Sequence, residues 1–202
     1  MGLGKYKLPN PHLLYLHGFL SSPKSQKAQQ TVSYCDSIGM ARAYTVPLLK
    51  NGPKQNISRL CAWVEANLEK NLVLIGSSLG GYYAAYLAEK YDLPAVLINP
   101  AVRPFDLLES YIGSHKNYHT DDVHQVTNEH MDELRALFVA EPLHVDKLMI
   151  LLQTGDETLD YRLALEKYNG SLCIVRIGGD HSYANYACDL PQIFDFLLSR
   201  IA

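Results

Sequence analysis

The sequence predicts an α/β protein: one compact domain with a parallel sheet of about six strands, covered by helices on both faces. Three observations predict it. Short runs that are apolar at every position alternate with stretches of helical periodicity, as expected for strands buried on both faces. The alternation spans the whole chain, residues 1–202, with no repeat, low-complexity segment or second core. One long polar segment, Arg103 to Asp146, interrupts it between the fourth and fifth strands and reads as a cap or lid insertion.

The elements follow in order. "LLYLH" (Leu13 to His17) is the first strand and ends at Gly18. Ser22 and Pro23 suit the N-cap and first position of a helix running to about Ile38. "ARAYTVP" is the second strand, stopped by Pro47. After the "NGP" break, Ile57, Leu60, Cys61, Val64 and Leu68 share one helical face. "LVLIGS" is the third strand, and Leu79, Tyr82, Tyr83, Tyr86 and Leu87 form the next helical stripe. "AVLINP" and "KLMILLQ" are the fourth and fifth strands, on either side of the insertion, which is expected to hold two or three short helices such as Met131 to Val139. A helix carrying Tyr161, Leu165 and Tyr168 leads to the sixth strand, "SLCIVRI". The chain closes with an amphipathic helix on Leu190, Ile193, Phe194, Leu197, Leu198 and Ile201.

Composition narrows the function classes. At 48% apolar and 19% charged residues the chain is globular, and a net charge of −3 with scattered basic residues argues against nucleic acid and acidic membranes. The opening "MGLGKYKLPN" lacks a signal-peptide core, and Tyr6 occupies the position where a myristoylation pattern needs Ser or Thr. No run approaches a membrane span. Cys35, Cys61, Cys173 and Cys188 have no paired spacing and read as reduced, mostly packed thiols of a cytoplasmic protein.

Chemistry concentrates at "IGSSLGG". Its Gly-x-Ser-x-Gly spacing selects Ser78, flanked by Gly76 and Gly80, between a strand and a helix. A serine hydroxyl lifted off a strand end needs a strained turn, and side chains two residues either side would collide there. The motif has neither the Gly-Lys-Ser/Thr of a phosphate loop nor a dinucleotide fingerprint. An activated serine needs an imidazole, and the imidazole an acid. His181 in "IGGDHSY" follows the sixth strand and is the best-placed base. Asp156 follows the fifth strand in "LLQTGDETLDYR" and is the chosen acid. Glu157, Asp106 and Asp180 remain as rivals, and Asp160 is expected to cap the next helix or carry surface charge. The oxyanion donors would be the backbone amides of Leu79 and of Phe19, in "YLHGFLSSP", with His17 organising that loop.

Other histidines invite blander readings. His115, His119, His124 and His130 lack regular metal-ligand spacing and read as solvated cap residues, so no metal or organic cofactor is expected. His144 precedes a strand at the wrong rim, and His12 enters one. Phe105, Leu107, Leu108, Tyr111 and Tyr118 suggest an acyl-chain surface, or simply a cap packed on the sheet. Arg103 could meet an acidic leaving group or belong to an ion pair.

Together "YLHGFLSSP", "IGSSLGGYYA", "INPAVRPFDLL", "LLQTGDETLDYR" and "GGDHSY" resemble the YqiA-like esterases, a branch of the α/β-hydrolase superfamily, in order over nearly the whole chain. The resemblance implies Ser78, Asp156 and His181 as a triad, Phe19 and Leu79 as oxyanion donors, and hydrolysis of a small carboxylic ester or acyl thioester. Leu20 stands where Asn is expected and Tyr183 where Phe is usual, so both are candidate substrate-binding positions beside Arg103. A lyase or acyltransferase with the same triad, or a non-catalytic ligand cup, are the alternatives.

Overall fold

The computed structural model describes residues 11–50 and 52–201. The expectations for residues 1–10 lie outside the described residues. In chain order the elements are β1 (Pro11–Leu16), α1 (Gln26–Ser37), β2 (Tyr44–Thr45), α2 (Pro53–Glu65), β3 (Asn71–Ser77), α3 (Leu79–Tyr91) and β4 (Ala95–Ile98). The insertion holds α4 (Pro104–Leu107), a 3₁₀ turn, a hairpin of β5 (Gly113–Lys116) and β6 (Val123–Val126), and α5 (Asn128–Arg135). β7 (Leu148–Gln153), α6 (Tyr161–Lys167), β8 (Leu172–Arg176) and α7 (Tyr186–Ser199) complete the chain. Six parallel strands run in the order β2-β1-β3-β4-β7-β8.

Strand alternation divides the core in two. Leu14, Leu16, Leu72, Leu74, Leu97 and Ile150 face α2, α3, α6 and the cap. Leu13, Tyr15, Val73, Ile75, Val96 and Met149 face α1 and α7. Each fully buried Leu, Ile or Val contributes on the order of 2 kcal/mol, which is why runs apolar at both parities fold into this sheet. No helix among the described residues is long and apolar enough to cross a membrane.

Four details differ from expectation. α1 starts at Gln26, with Ser25 at the N-cap position but making no side-chain capping bond, and Ser22 instead closes a turn: its Oγ accepts from the Lys24 amide and its carbonyl from the Ser25 amide. The second strand shrinks to two residues, since a Met40–Ala43 turn with Arg42 at φ 65° takes up its start. α2 stops before Leu68, which is 53% exposed. The cap contains an antiparallel hairpin besides its helices, and α5 begins three residues before Met131. As for the cysteines, all four are free; Cys35 is buried and Cys188 exposed.

Candidate active site

The carboxyl ends of β1, β3, β7 and β8 share one rim, and the predicted site residues meet there. Ser78 joins β3 to α3 at φ 56°, ψ −121°, a conformation that costs a non-glycine residue on the order of 1–3 kcal/mol. The flanking glycines are sterically required. A Cβ on Gly76 would stand 2.3 Å from the Gly80 carbonyl oxygen, and one on Gly80 would stand 2.1 Å from the Leu16 carbonyl oxygen. The turn is pinned by the Ser78 amide donating to Ile98 O at 3.0 Å, while Ser78 O accepts from Ala101 and Tyr82.

The imidazole of His181 bridges serine and acid. Its Nε2 lies 3.0 Å from Ser78 Oγ, and its Nδ1 lies 2.9 and 3.0 Å from the two oxygens of Asp156. A carboxylate can only accept, so Nδ1 carries the proton and Nε2 is left to accept from the serine hydroxyl. The Asp156 side chain is 2% exposed and its Oδ1 also accepts from the Thr158 and Leu159 amides, which fixes its orientation.

The rival acids are elsewhere. Glu157 accepts from the His181 backbone amide, and amide donors hold its carboxyl below the usual range. Asp106 pairs with Arg103 in the cap, and Asp160 caps α6 through the Arg162 amide. Asp180 has an exposed side chain and contributes its backbone amide to Gln153.

The loop after β1 passes over the serine: a Cβ on Gly18 would lie 3.2 Å from Ser78 Cβ. The amides of Phe19 and Leu79 donate to no other described residue. His17 holds this loop. It is 2% exposed, its Nδ1 donates to the Gly18 carbonyl, and its Nε2 accepts from the Leu49 amide. Burial pushes its pKa down to about 4. Leu20 adopts φ 52°, a region that suits Asn far better than Leu, and its side chain lines a small cavity of about 50 Å³ under the cap.

Two proposed substrate contacts do not reach the serine. Tyr183 is 2% exposed and packs beside Tyr186, donating its hydroxyl to Asp189 at 2.9 Å, so its ring belongs to the α7 core. Arg103 lines a separate groove beside α4 and pairs with Asp106, the ion-pair alternative. In the cap, Phe105 and Leu108 are buried in the core, whereas Tyr118 is 73% exposed at the cleft. His115 bonds the Tyr111 carbonyl, His124 lies against Asn117, and His130 completes a capping box with Thr127. Among the described residues no group of three His, Cys, Asp or Glu side chains could hold a metal.

The cleft beside Ser78 and His181 has a volume of about 280 Å³. Its walls include Ser21, Ser25, Lys27, Tyr118, His119 and Ser182. Three supporting residues escaped the sequence reading. Gln153 Oε1 accepts from the Asp180 and Ala184 amides while its Nε2 donates to the Ala184 carbonyl. Asn99, at φ 39°, donates to the Asp180 and His181 carbonyls and accepts from the Gln153 amide. Lys27 donates to Ser182 O at 2.7 Å. The available signal was a polar residue closing an apolar strand, in "INP" and "LLQ".

Comparison with solved structures places this rim in the α/β-hydrolase fold. Mouse alpha/beta hydrolase domain-containing protein 10 superposes with a TM-score of 0.72 at 16% identity, covering 99% of this chain and 98% of that one. Est1E from Butyrivibrio proteoclasticus superposes with a TM-score of 0.71 at 14% identity, covering 98% and 91%. By sequence, a UPF0227 protein of Citrobacter koseri is 24% identical over 186 residues, which cover 91% of this chain and 97% of the relative. A UPF0227 protein YcfP of Escherichia coli is 23% identical with the same coverage. Fold, relatives and a match across residues 12–198 agree, and the chain belongs to the family described as "Uncharacterised protein family (UPF0227)".

Proposed function

We propose that this protein is a serine hydrolase that cleaves carboxylic esters or acyl thioesters through an acyl-enzyme intermediate. One observation carries the reading: a single imidazole within 3.0 Å of both a strained serine hydroxyl and a buried carboxylate. His181 Nε2 takes the proton as Ser78 Oγ attacks the carbonyl carbon. The tetrahedral oxyanion is held by the Phe19 and Leu79 amides, near the amino end of α3, where the helix dipole favours negative charge. His181 then gives the proton to the departing alcohol or thiol. Water enters, loses a proton to the same nitrogen and attacks the acyl-serine, which releases the acid. Asp156 remains ionised throughout, stabilising the imidazolium and its tautomer.

Loss of Ser78 or His181 should lower kcat on the order of 10⁶-fold, and Asp156→Asn roughly 10⁴-fold. The test is a fluorophosphonate probe followed by a panel of acyl esters and thioesters compared by kcat/KM. Labelling that disappears in Ser78→Ala and persists in Ser77→Ala supports the proposal. An unlabelled, folded wild-type protein with no turnover of any panel member refutes it.

A further inference from the structure

Among the described residues lining the serine cleft, Lys27 alone is a lysine, arginine, aspartate or glutamate. It sits in the first turn of α1, half-buried, and its Nζ donates to the carbonyl of Ser182, the residue after His181. An ammonium has three N–H donors, so two remain for a ligand. No described carboxylate lies within ion-pair distance of it, whereas Arg103, in the neighbouring groove, is matched by Asp106. The acids that act on Lys27 through space are Asp180, whose side chain is exposed, and Asp156, which is already held by His181 and two amides. Desolvation outweighs both and pushes the ammonium pKa down to about 8. Removing a cation from water without a partner is costly, and an anionic ligand would supply that partner.

We propose that Lys27 determines specificity by binding a carboxylate on the substrate, so that the preferred substrates are short esters carrying a free carboxylate near the scissile bond. The inference rests on the serine-hydrolase reading above. The polar walls at Ser21, Ser25 and Ser182 suit such a substrate, and the cleft is small for a long acyl chain. Lys27 is here a specificity residue and takes no part in bond making.

The experiment compares kcat/KM for two matched ester pairs. 4-Nitrophenyl hydrogen adipate against 4-nitrophenyl hexanoate puts the charge on the acyl side; 4-carboxyphenyl butanoate against phenyl butanoate puts it on the alcohol side. Wild type should favour the charged member of at least one pair about tenfold or more, as a charge-assisted hydrogen bond allows. Lys27→Met should abolish that preference, the charged member losing about tenfold or more beyond whatever both members lose with the Ser182 bond, and Lys27→Arg should keep most of it. The ratio should also fall between pH 7 and 9, as Lys27 loses its proton. The His181 imidazole serves both members of a pair and cancels from the ratio. The other ionisable groups facing the cleft, Tyr15, His17, Tyr118 and His119, and the nearby Asp156 and Asp180 are all retained in Lys27→Met, whose ratio should therefore stay flat over the same interval. No preference in either pair, or an equal loss on both members in Lys27→Met, overturns the assignment and leaves Lys27 as a staple for the His181 loop. If Ser78 takes no fluorophosphonate and none of the esters is hydrolysed, the hydrolase reading falls, and the Lys27 assignment with it.

Discussion

A buried imidazole is kept neutral along the same cleft as the proposed catalytic base, and the two differ in what surrounds them. His17 and His181 lie along the same cleft, but His17 is 2% exposed and both of its ring nitrogens are used by backbone groups. With its pKa pushed down to about 4 by burial, it cannot serve as a base that is reprotonated near neutrality. A stability consequence follows. In the unfolded chain His17 titrates near 6.5, so between about pH 6.5 and 4 the unfolded state binds more protons. Stability is therefore full above about 6.5 and declines as pH falls towards 4, by about 3 kcal/mol from this residue. Urea unfolding at pH 7.5 and 4.5 checks it. His17→Gln, which keeps an acceptor for the Leu49 amide, should lose less stability over that interval than wild type; equal losses would contradict it. Ser78 and His181 stood out as candidates in the sequence because local spacing and strand ends mark them. Lys27 did not, since a lysine in a first helical turn reads like any surface charge until tertiary contact places it against Ser182.

Among the elements, β7 does two jobs, and only one was legible. Its apolar run named it a buried strand, and its last residue, Gln153, looked like an exit to the loop. In the fold Gln153 is 4% exposed and fastens β8's following loop, residues 179–185, to the sheet through three side-chain hydrogen bonds. The fit is close enough that a Cβ on Gly179 would meet Gln153 Oε1 at 1.9 Å. Gln153 is thus a positioning residue for His181. Gln153→Leu should cost about 2–4 kcal/mol through the amides and carbonyl left unpaired. It should also lower kcat more than it raises KM, because the imidazole loses its fixed place while the cleft walls persist. Gln153→Glu, which keeps the acceptor for the Asp180 and Ala184 amides, should recover part of kcat; a loss confined to KM would contradict the role. The β5–β6 hairpin stayed hidden for a related reason. "VHQV" buries His124 and Val126 and exposes Val123 and Gln125, and a buried histidine erases the apolar alternation that marks a strand. β8, by contrast, was read as buried on both faces yet stands at the sheet edge, with Leu172 and Val175 partly exposed, because strand order is a tertiary fact.

At the scale of the whole molecule, the question is whether the insertion is a separate lid or part of the body. Its length suggested a lid, but its contacts favour the body. Leu134 is fully buried in the same core as Leu74 and Ile150, and Tyr82 of α3 donates its hydroxyl to the Leu134 carbonyl at 2.7 Å. The hairpin end is tied to the loop after β1 by the Tyr118 amide on Leu20 O and by Asn117 Nδ2 on Ser21 O. These bonds connect the cap to the loop that carries the Phe19 amide, so cap and oxyanion loop should form and melt together. The single tryptophan, Trp63, reports on the body from α2, near His12. Leu134→Ala, made in the cap, should remove about 3 kcal/mol by leaving a cavity. If cap and body are one cooperative unit, Trp63 fluorescence and far-ultraviolet circular dichroism should shift to lower urea by the same amount and stay coincident. A lid that unfolds on its own would instead leave the Trp63 midpoint where it was and split the dichroism into two steps. The shared core predicts the first outcome, because a cavity at Leu134 removes contacts from the same cluster that holds the sheet to α3.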